Sequence, residues 1–482
     1  MTVGDDRTLG GYKAYQKMAV RGNSALILFG LVAFMLTPSP ASAEGEIPNL
    51  RKHEVSVSGG LNLPAVQKVL GLDAAGFVFR PELTFSTEYN TNLFYADEND
   101  PSPPVDSWII KVIPALTFKS PRHSALIVDV NGALEFRKYF HDAQTVTKQS
   151  MLGGVAGLRA TFFPRGVVSV SIHEDFRRVM ERRNIETTST WDRNFNKAGL
   201  DVNIRPGGKA MSFRIGYDFI TDYFVDTAGD WGDLHRHDVH ARYSWKFFPY
   251  TALLFEAGWQ LNDYLHKNLG YYGELTDSKP LRARIGVNGF ITKSLSVMVM
   301  AGYGHSFHDM RPVATGDTTN AGENASYSSF LAEARVSWKA SRSTILQIGY
   351  KHDFRSSLFS NYVQFDRVYA NAQQRLFGIW DLHLDASYHF LQYSALPYAY
   401  QTTRPEVIQQ YGGLVDQSFR NDNAIRVTVG TDVDIVRYVK LSVDYTMDIL
   451  STPFFVQLRD VPKPDNQGYL AHVITMMLTV RY

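Results

Sequence analysis

The 482-residue chain has no cysteine, so neither disulfides nor thiolate chemistry contributes to its fold or function. Net charge is nearly absent as well, +1 at pH 7 from 49 Lys and Arg against 48 Asp and Glu. No basic run or aromatic-basic motif breaks that balance, which removes the footprint of a nucleic-acid-binding protein. Long apolar runs are scarce: Ala25 to Leu36 is the exception, and it is short for a membrane-spanning helix. The strong enzyme signatures are missing too. There is no P-loop, no Gly-x-Ser-x-Gly, no His-Glu-x-x-His and no cysteine metal site. Nothing demands catalysis, and no cofactor or metal is expected.

The one apolar run has its own explanation. Lys13, Lys17 and Arg21 precede it, and Pro38, Pro40 and Ala41-Ser42-Ala43 follow it, which is the order of a cleaved signal peptide. Residues 1–43 are therefore expected to be removed after Ala43, with Met1 or Met18 as the start; a retained anchor is the competing reading. Residues 44–75 are of mixed polarity and read as a periplasmic lead-in. A short helix opening at Pro64 and carrying Val66, Val69 and Leu70 fits there, as does a partial plug of whatever follows.

What the chain does have, from Gly76 to Tyr482, is period-two alternation in about eighteen segments. The first, roughly Phe77 to Asn90, sets Leu83, Phe85, Thr87 and Tyr89 against Glu82, Thr84, Ser86 and Glu88. Later segments repeat it: Leu126, Val128, Val130, Leu134 and Phe136 alternate with Asp129, Asn131, Glu135 and Arg137. Leu382, Leu384, Ala386, Tyr388 and Phe390 alternate with Asp381, His383, Asp385, Ser387 and His389. The last segment sets Ile474, Met476, Leu478, Val480 and Tyr482 against Val473, Thr475, Met477, Thr479 and Arg481, the pattern of an outer-membrane assembly signal. Segments of ten or more residues are long for soluble strands. The pattern predicts an all-β, antiparallel up-and-down transmembrane barrel of outer-membrane type over residues 76–482. A mean hydropathy of −0.20 agrees, because half of each strand faces water. Soluble sandwiches or a propeller are the alternative fold.

Connections divide into two kinds. Tight ones centre on Pro121, Pro164-Arg165-Gly166, Pro206-Gly207-Gly208, Phe248-Pro249-Tyr250, Thr292-Lys293-Ser294, Ala340-Ser341-Arg342, Gly378 and Arg437 and are expected on the periplasmic side. Longer polar stretches at 91–106, 182–190, 226–234, 267–278, 309–325, 397–417 and 453–466 are expected outside. Trp108, Trp245 with Phe247 and Phe248, Trp338, Trp380 and Tyr482 fall near strand ends, where interfacial girdles sit. Trp191, Trp231, Tyr271, Tyr272, Tyr398 and Tyr400 fall in or beside long loops, where loop packing or sugar stacking fits. Exceptions on the outward frame are few. Glu174 shares a frame with Val168, Val170, Ile172 and Phe176, which points to a bulge that turns it inward or to a headgroup-level position. His235, His237, His352 and His472 are outward and are expected at headgroup level. With His240, the first two form the one dense histidine cluster; a metal site would need a third ligand on the same side.

The inward frames carry both signs. Lys111, Arg137, Arg159, Arg177, Arg214, Arg236, Arg242, Arg282, Arg284, Arg335 and Arg426 are the bases expected in the lumen. Asp129, Glu135, Asp175, Asp201, Asp218, Glu256, Glu333, Asp385, Asp432, Asp434, Asp444 and Asp448 are the acids. Mutual salt bridging is the plain expectation. A lumen of mixed sign argues against a strict anion or cation filter and suits hydrated polar cargo.

The opening segment, Arg80-Pro81-Glu82-Leu83-Thr84-Phe85-Ser86-Thr87-Glu88-Tyr89-Asn90-Thr91-Asn92-Leu93-Phe94, carries a Tyr-x-x-Asn-hydrophobic-Phe element. It resembles the start of the beta-barrel porin type 2 family of Gram-negative outer-membrane proteins. The resemblance implies an outer-membrane pore associated with exopolysaccharide or capsule export, without catalytic residues. The implied partners are outer-membrane lipid and lipopolysaccharide, a polysaccharide substrate, a periplasmic polysaccharide co-polymerase and the barrel assembly machinery. Polysaccharide export is therefore the first expectation. A general diffusion porin for small hydrophilic solutes is the alternative, and a structural or adhesive barrel with a closed lumen is the third.

Overall fold

The computed structural model describes residues 77–98, 104–121, 125–181, 191–206, 210–225, 232–266, 276–309, 326–357, 360–394, 420–456, 465–466 and 468–481. The expected signal peptide and the 44–75 segment lie outside these, as do Trp231, Tyr271, Tyr272, Tyr398, Tyr400 and Tyr482. The strands in chain order are β1 (Val78–Asn90), β2 (Ser107–Lys119), β3 (Leu126–Phe140), β4 (Met151–Phe162), β5 (Val168–Glu181), β6 (Trp191–Ile204), β7 (Met211–Phe224), β8 (Leu234–Phe248), β9 (Thr251–Tyr264) and β10 (Leu281–Phe290). They continue with β11 (Leu295–His305), β12 (Ser328–Trp338), β13 (Thr344–Ser356), β14 (Tyr362–Leu376), β15 (Trp380–Tyr393), β16 (Asn421–Val436), β17 (Val439–Ser451), the two-residue β18 (Phe455–Val456) and β19 (Asp465–Asn466), and β20 (Tyr469–Arg481).

Eighteen of these form one sheet in which each long strand pairs antiparallel with its sequence neighbours, β17 running on to β20. β1 pairs with β20 from Glu82↔Arg481 to Asn90↔Val473, so the sheet closes on itself. β18 and β19 form a separate two-residue ladder within the last connection. Closure pairs the first strand with the last, the condition for a sheet to sit in lipid. The tight turns that the structure describes fall where the sequence places them, at one end of the barrel together with the start of β1 and the end of β20, while residues 122–124 and 207–209 of two others lie outside the described residues. In the β14–β15 turn, Phe377 and Gly378 both have positive φ, the mirror-image geometry that matches the twist of hairpin strands.

Burial is inverted relative to a soluble protein. Phe85, Val299, Ile348 and Ile474 are each about half exposed, and exposed Leu, Val, Ile and Phe recur on the outward frames around the ring. Such a surface would aggregate in water, whereas in lipid it is the apolar belt. Phe163, Phe248, Tyr250, Phe290, Trp338, Phe377 and Trp380 crowd its turn end, and Trp108, Phe140, Trp259, Tyr303 and Phe330 stand towards its loop end. The frames read from the sequence are the observed ones: on β20, Ile474, Met476 and Leu478 are exposed and Met477 and Thr479 buried.

Glu174 departs from expectation. It is the seventh residue of fourteen in β5, and both of its ladders run without a shift, Leu158↔Glu174↔Ala198. It therefore keeps the outward frame of Ile172 and Phe176 at mid-strand, with neither a bulge nor an end position. The register shifts of the barrel lie elsewhere, at Lys246/Phe248 and Asp434/Val436, beside the tight turns. Small neighbours on the adjoining strands, Ala156 and Ala198, leave the Glu174 side chain room to lie along the wall.

Candidate functional site in the barrel lumen

The expected lumen residues face inward, and the structure joins most of them into three clusters. On β5–β9, Asp218 accepts from His173 Nε2 at 2.8 Å and pairs with Lys197 at 2.6 Å. Asp201 lies 3.3 Å from His240, 3.7 Å from His173 and 3.7 Å from Arg214. Arg242 pairs with Glu256 at 3.3 Å, and Arg236 donates to Asn262 at 2.7 Å. On β10–β13, Arg282 and Arg284 both reach Asp353, and Arg284 also lies 3.6 Å from Glu333. Arg335 points to Met298 Sδ at 3.5 Å. On β14–β17, Asp444 accepts from His383 at 2.8 Å, Asp432 pairs with Lys440 at 2.9 Å, Arg426 pairs with Asp448, and Asn371 donates to Asp385.

Other predicted residues stand apart from these clusters. Lys111 pairs with Glu88 at 2.6 Å, and Arg137 binds its strand-mate Glu135 and Tyr139. Asp129 and Arg159 are register partners, as are Asp175 and Lys197. Arg177 lies over the Phe195 ring at 5.8 Å. Asp434 sits at the turn-end rim, 3.3 Å from Arg375. The lumen wall is thus mixed in sign and largely self-neutralised.

A recurring construction explains the histidines. On three rungs a His and an Asp two strands apart meet over a glycine: His173, Gly199 and Asp218; Asp201, Gly216 and His240; and His383, Gly430 and Asp444. A Cβ at any of these glycines would occupy the place of the bridging side chains. Glycine here removes the obstacle between the pair.

At the loop end the lumen narrows. One cluster of buried residues joins Leu234 of β8 and Tyr264 of β9 to Phe365 of β14, Tyr393 of β15, Leu450 of β17 and Tyr469 of β20, which arise from far sides of the ring. Tyr95 of the β1–β2 connection packs edge-on against Tyr469 at 5.0 Å. The fully buried Arg420 lies over Tyr393 and Phe454 and pairs with Asp422 at 2.6 Å. Polar contacts cross in the same region: Asn262 donates to Ser356 at 3.3 Å and Thr276 to Asn361 at 3.2 Å.

No family model matches the sequence, and no curated protein matches it. Solved structures similar in fold include Pseudomonas aeruginosa OpdK with vanillate, 11% identical, covering 84% of this chain and 99% of that one with a TM-score of 0.45. A BenF-like porin from Pseudomonas fluorescens Pf-5 is 9% identical over 84% and 99% with a TM-score of 0.45. Acinetobacter baumannii OccAB3 is 8% identical over 84% and 99% with a TM-score of 0.44. These are distant likenesses, and the type 2 porin resemblance rests on its opening-strand element alone.

The same alternation marks several further charged and polar groups. Lys351 and Asp353 face inward, and Asp353 carries the β10–β13 cluster. Asp366 falls on the outward frame of β14, where it accepts from His352 at 2.8 Å and from Tyr350. His352 itself is buried beneath Phe330, with rings 4.4 Å apart, instead of lying open at headgroup level. Arg178 and Asp192 pair outward at 2.7 Å near the loop end. His235 and His237 point outward beside Tyr223 and Tyr217, whereas His240 points inward, so the three do not converge. Among the described residues no group of ligands is placed to hold a metal ion.

Proposed function

We propose that the barrel is a bacterial outer-membrane channel for small hydrophilic solutes. The belt and the closed sheet make the wall, and the signal-peptide pattern directs the chain to the envelope. The self-paired lumen offers hydrogen bonds of both kinds without a field of one sign, which suits neutral or weakly charged polar solutes. The observation that carries the choice of cargo is the narrowed loop end. A cluster joining far sides of the ring obstructs a sliding polymer more than a small solute, so the small-solute reading is preferred to polysaccharide export and to a co-polymerase partner.

The test is reconstitution. The purified barrel should conduct in planar bilayers with weak ion selectivity, and vesicle swelling rates should fall steeply from monosaccharide to trisaccharide. Passage of long oligosaccharides at undiminished rate would return the assignment to polymer export. A silent bilayer at all voltages would leave a closed structural barrel.

A further inference from the structure

The wall forks at the loop end of two seams: β4 and β5 pair only from Gly154↔Arg178 to Phe162↔Val170, and the wider fork lies between β12 and β13. β12 and β13 pair only from Ala332↔His352 to Trp338↔Leu346. Beyond that rung, Ser328–Leu331 stays paired with β11 and Asp353–Ser356 stays paired with β14, and no ladder joins the two tips. A parted ladder leaves backbone groups that lipid cannot satisfy. Here side chains take the place of the missing strand. The Tyr327 hydroxyl donates to the Phe330 carbonyl at 2.9 Å, and Arg282 Nη2 donates to the Phe354 carbonyl at 2.6 Å. Asp353 accepts from the Phe354 N–H at 2.9 Å.

The cleft between the tips is filled by apolar side chains. Phe354 continues the outward frame of Ile348 and Tyr350, yet it is buried, stacked on Tyr327 at 4.2 Å with Leu331 in the same cluster. On the lumen side stand three cations, Arg282, Arg284 and Lys351, against the carboxylates of Asp353 and Glu333. On the lipid side Phe330 is more than half exposed. The cleft therefore runs from a cationic lumen patch, through an aromatic and aliphatic plug, to the outer leaflet.

We infer that the β12–β13 fork is a lateral portal through which an anionic amphiphile passes between the lumen and the outer leaflet. Its charged head meets Arg282, Arg284 and Lys351, and its apolar body replaces the Tyr327, Leu331 and Phe354 contacts. Opening the wall anywhere along a paired seam breaks a run of backbone hydrogen bonds in a medium that offers no substitute. Opening it at the fork rearranges side chains only. This route is additional to the axial path proposed above, and its readout is independent of conductance.

The cysteine-free background makes the test clean. Leu331→Cys is placed in the full barrel, reconstituted in vesicles, with Leu391→Cys as an equally buried control whose rungs are paired. Folding is checked by heat-modifiable gel migration, and Phe354→Cys serves as a second reporter should Leu331→Cys fail that check. A pyrene maleimide dissolved in the bilayer and a sulfonated, membrane-impermeant maleimide in the water should each label Leu331→Cys about ten-fold faster than Leu391→Cys, as expected for a site that opens locally. Dodecanoate should slow both reactions several-fold. Labelling no faster than the control, or from one phase only, overturns the portal. Labelling from both phases without protection by dodecanoate overturns the amphiphile. Loss of axial conductance with labelling intact would instead overturn the pore reading.

Discussion

The β15–β17 wall and the β10–β13 wall use the same inward-facing chemistry to opposite ends. In the first, the rungs around Gly430 pair on both sides, and the His383–Asp444 contact lies on an intact stretch of sheet, filling the space that Gly430 vacates. In the second, Asp353 gathers Arg282, Arg284 and Lys351 where two strands have parted, and the charged groups hold the backbone that the ladder has released. A polar lumen contact is thus decoration on one wall and scaffold on the other. The difference follows from whether backbone pairing already satisfies the strand.

The largest expected effect tests that difference directly. Asp353→Ala strands three cations around a buried site and should lower barrel stability by about 3–5 kcal/mol, read as the urea midpoint of unfolding from vesicles. Asp444→Ala removes a partner from one histidine on a paired wall and should shift that midpoint much less; equal shifts would erase the distinction between the walls. Next come the bridged rungs. Gly430→Ala and Gly199→Ala force a His–Asp pair apart and should each cost about 1–3 kcal/mol by overpacking, whereas Gly258→Ala, where a Cβ meets nothing, should be tolerated. On the lipid face, Glu174→Leu should stabilise the barrel in bilayers, by less than the roughly 2–4 kcal/mol that an arginine costs at the midplane. The smallest effect is on selectivity: Glu88→Gln releases Lys111 and should move the reversal potential towards anions by no more than about a two-fold permeability ratio.

Much of the fold was legible because period two is a local signal. Leu83 to Tyr89 name their face without reference to any other strand, and Gly378 or Pro164 name a turn by their own backbone limits. What the alternation does not carry is which rungs pair. Phe354 has the frame of a lipid-facing residue and ends up buried because β12 and β13 part, a fact held in Tyr327 and Arg282, 27 and 72 positions away from it. Glu174 points to a bulge or a headgroup-level position because charge at mid-strand is costly, but the ladder of β5 accommodates it at mid-strand without a shift. The narrowing at the loop end was equally hidden, since Leu234, Tyr264 and Tyr469 meet only after the ring has formed.

The seam between the first and last strands has a bearing on biogenesis. Thr84 and Thr479 share a hydrogen bond at 2.9 Å across 395 positions of sequence. Until the final strand has emerged, β1 and β17 each present a bare margin, and the growing sheet is a template for any other strand within reach. Ring formation therefore waits on β20, and a chain cut before Tyr469 would be left as an open ribbon with two adhesive borders.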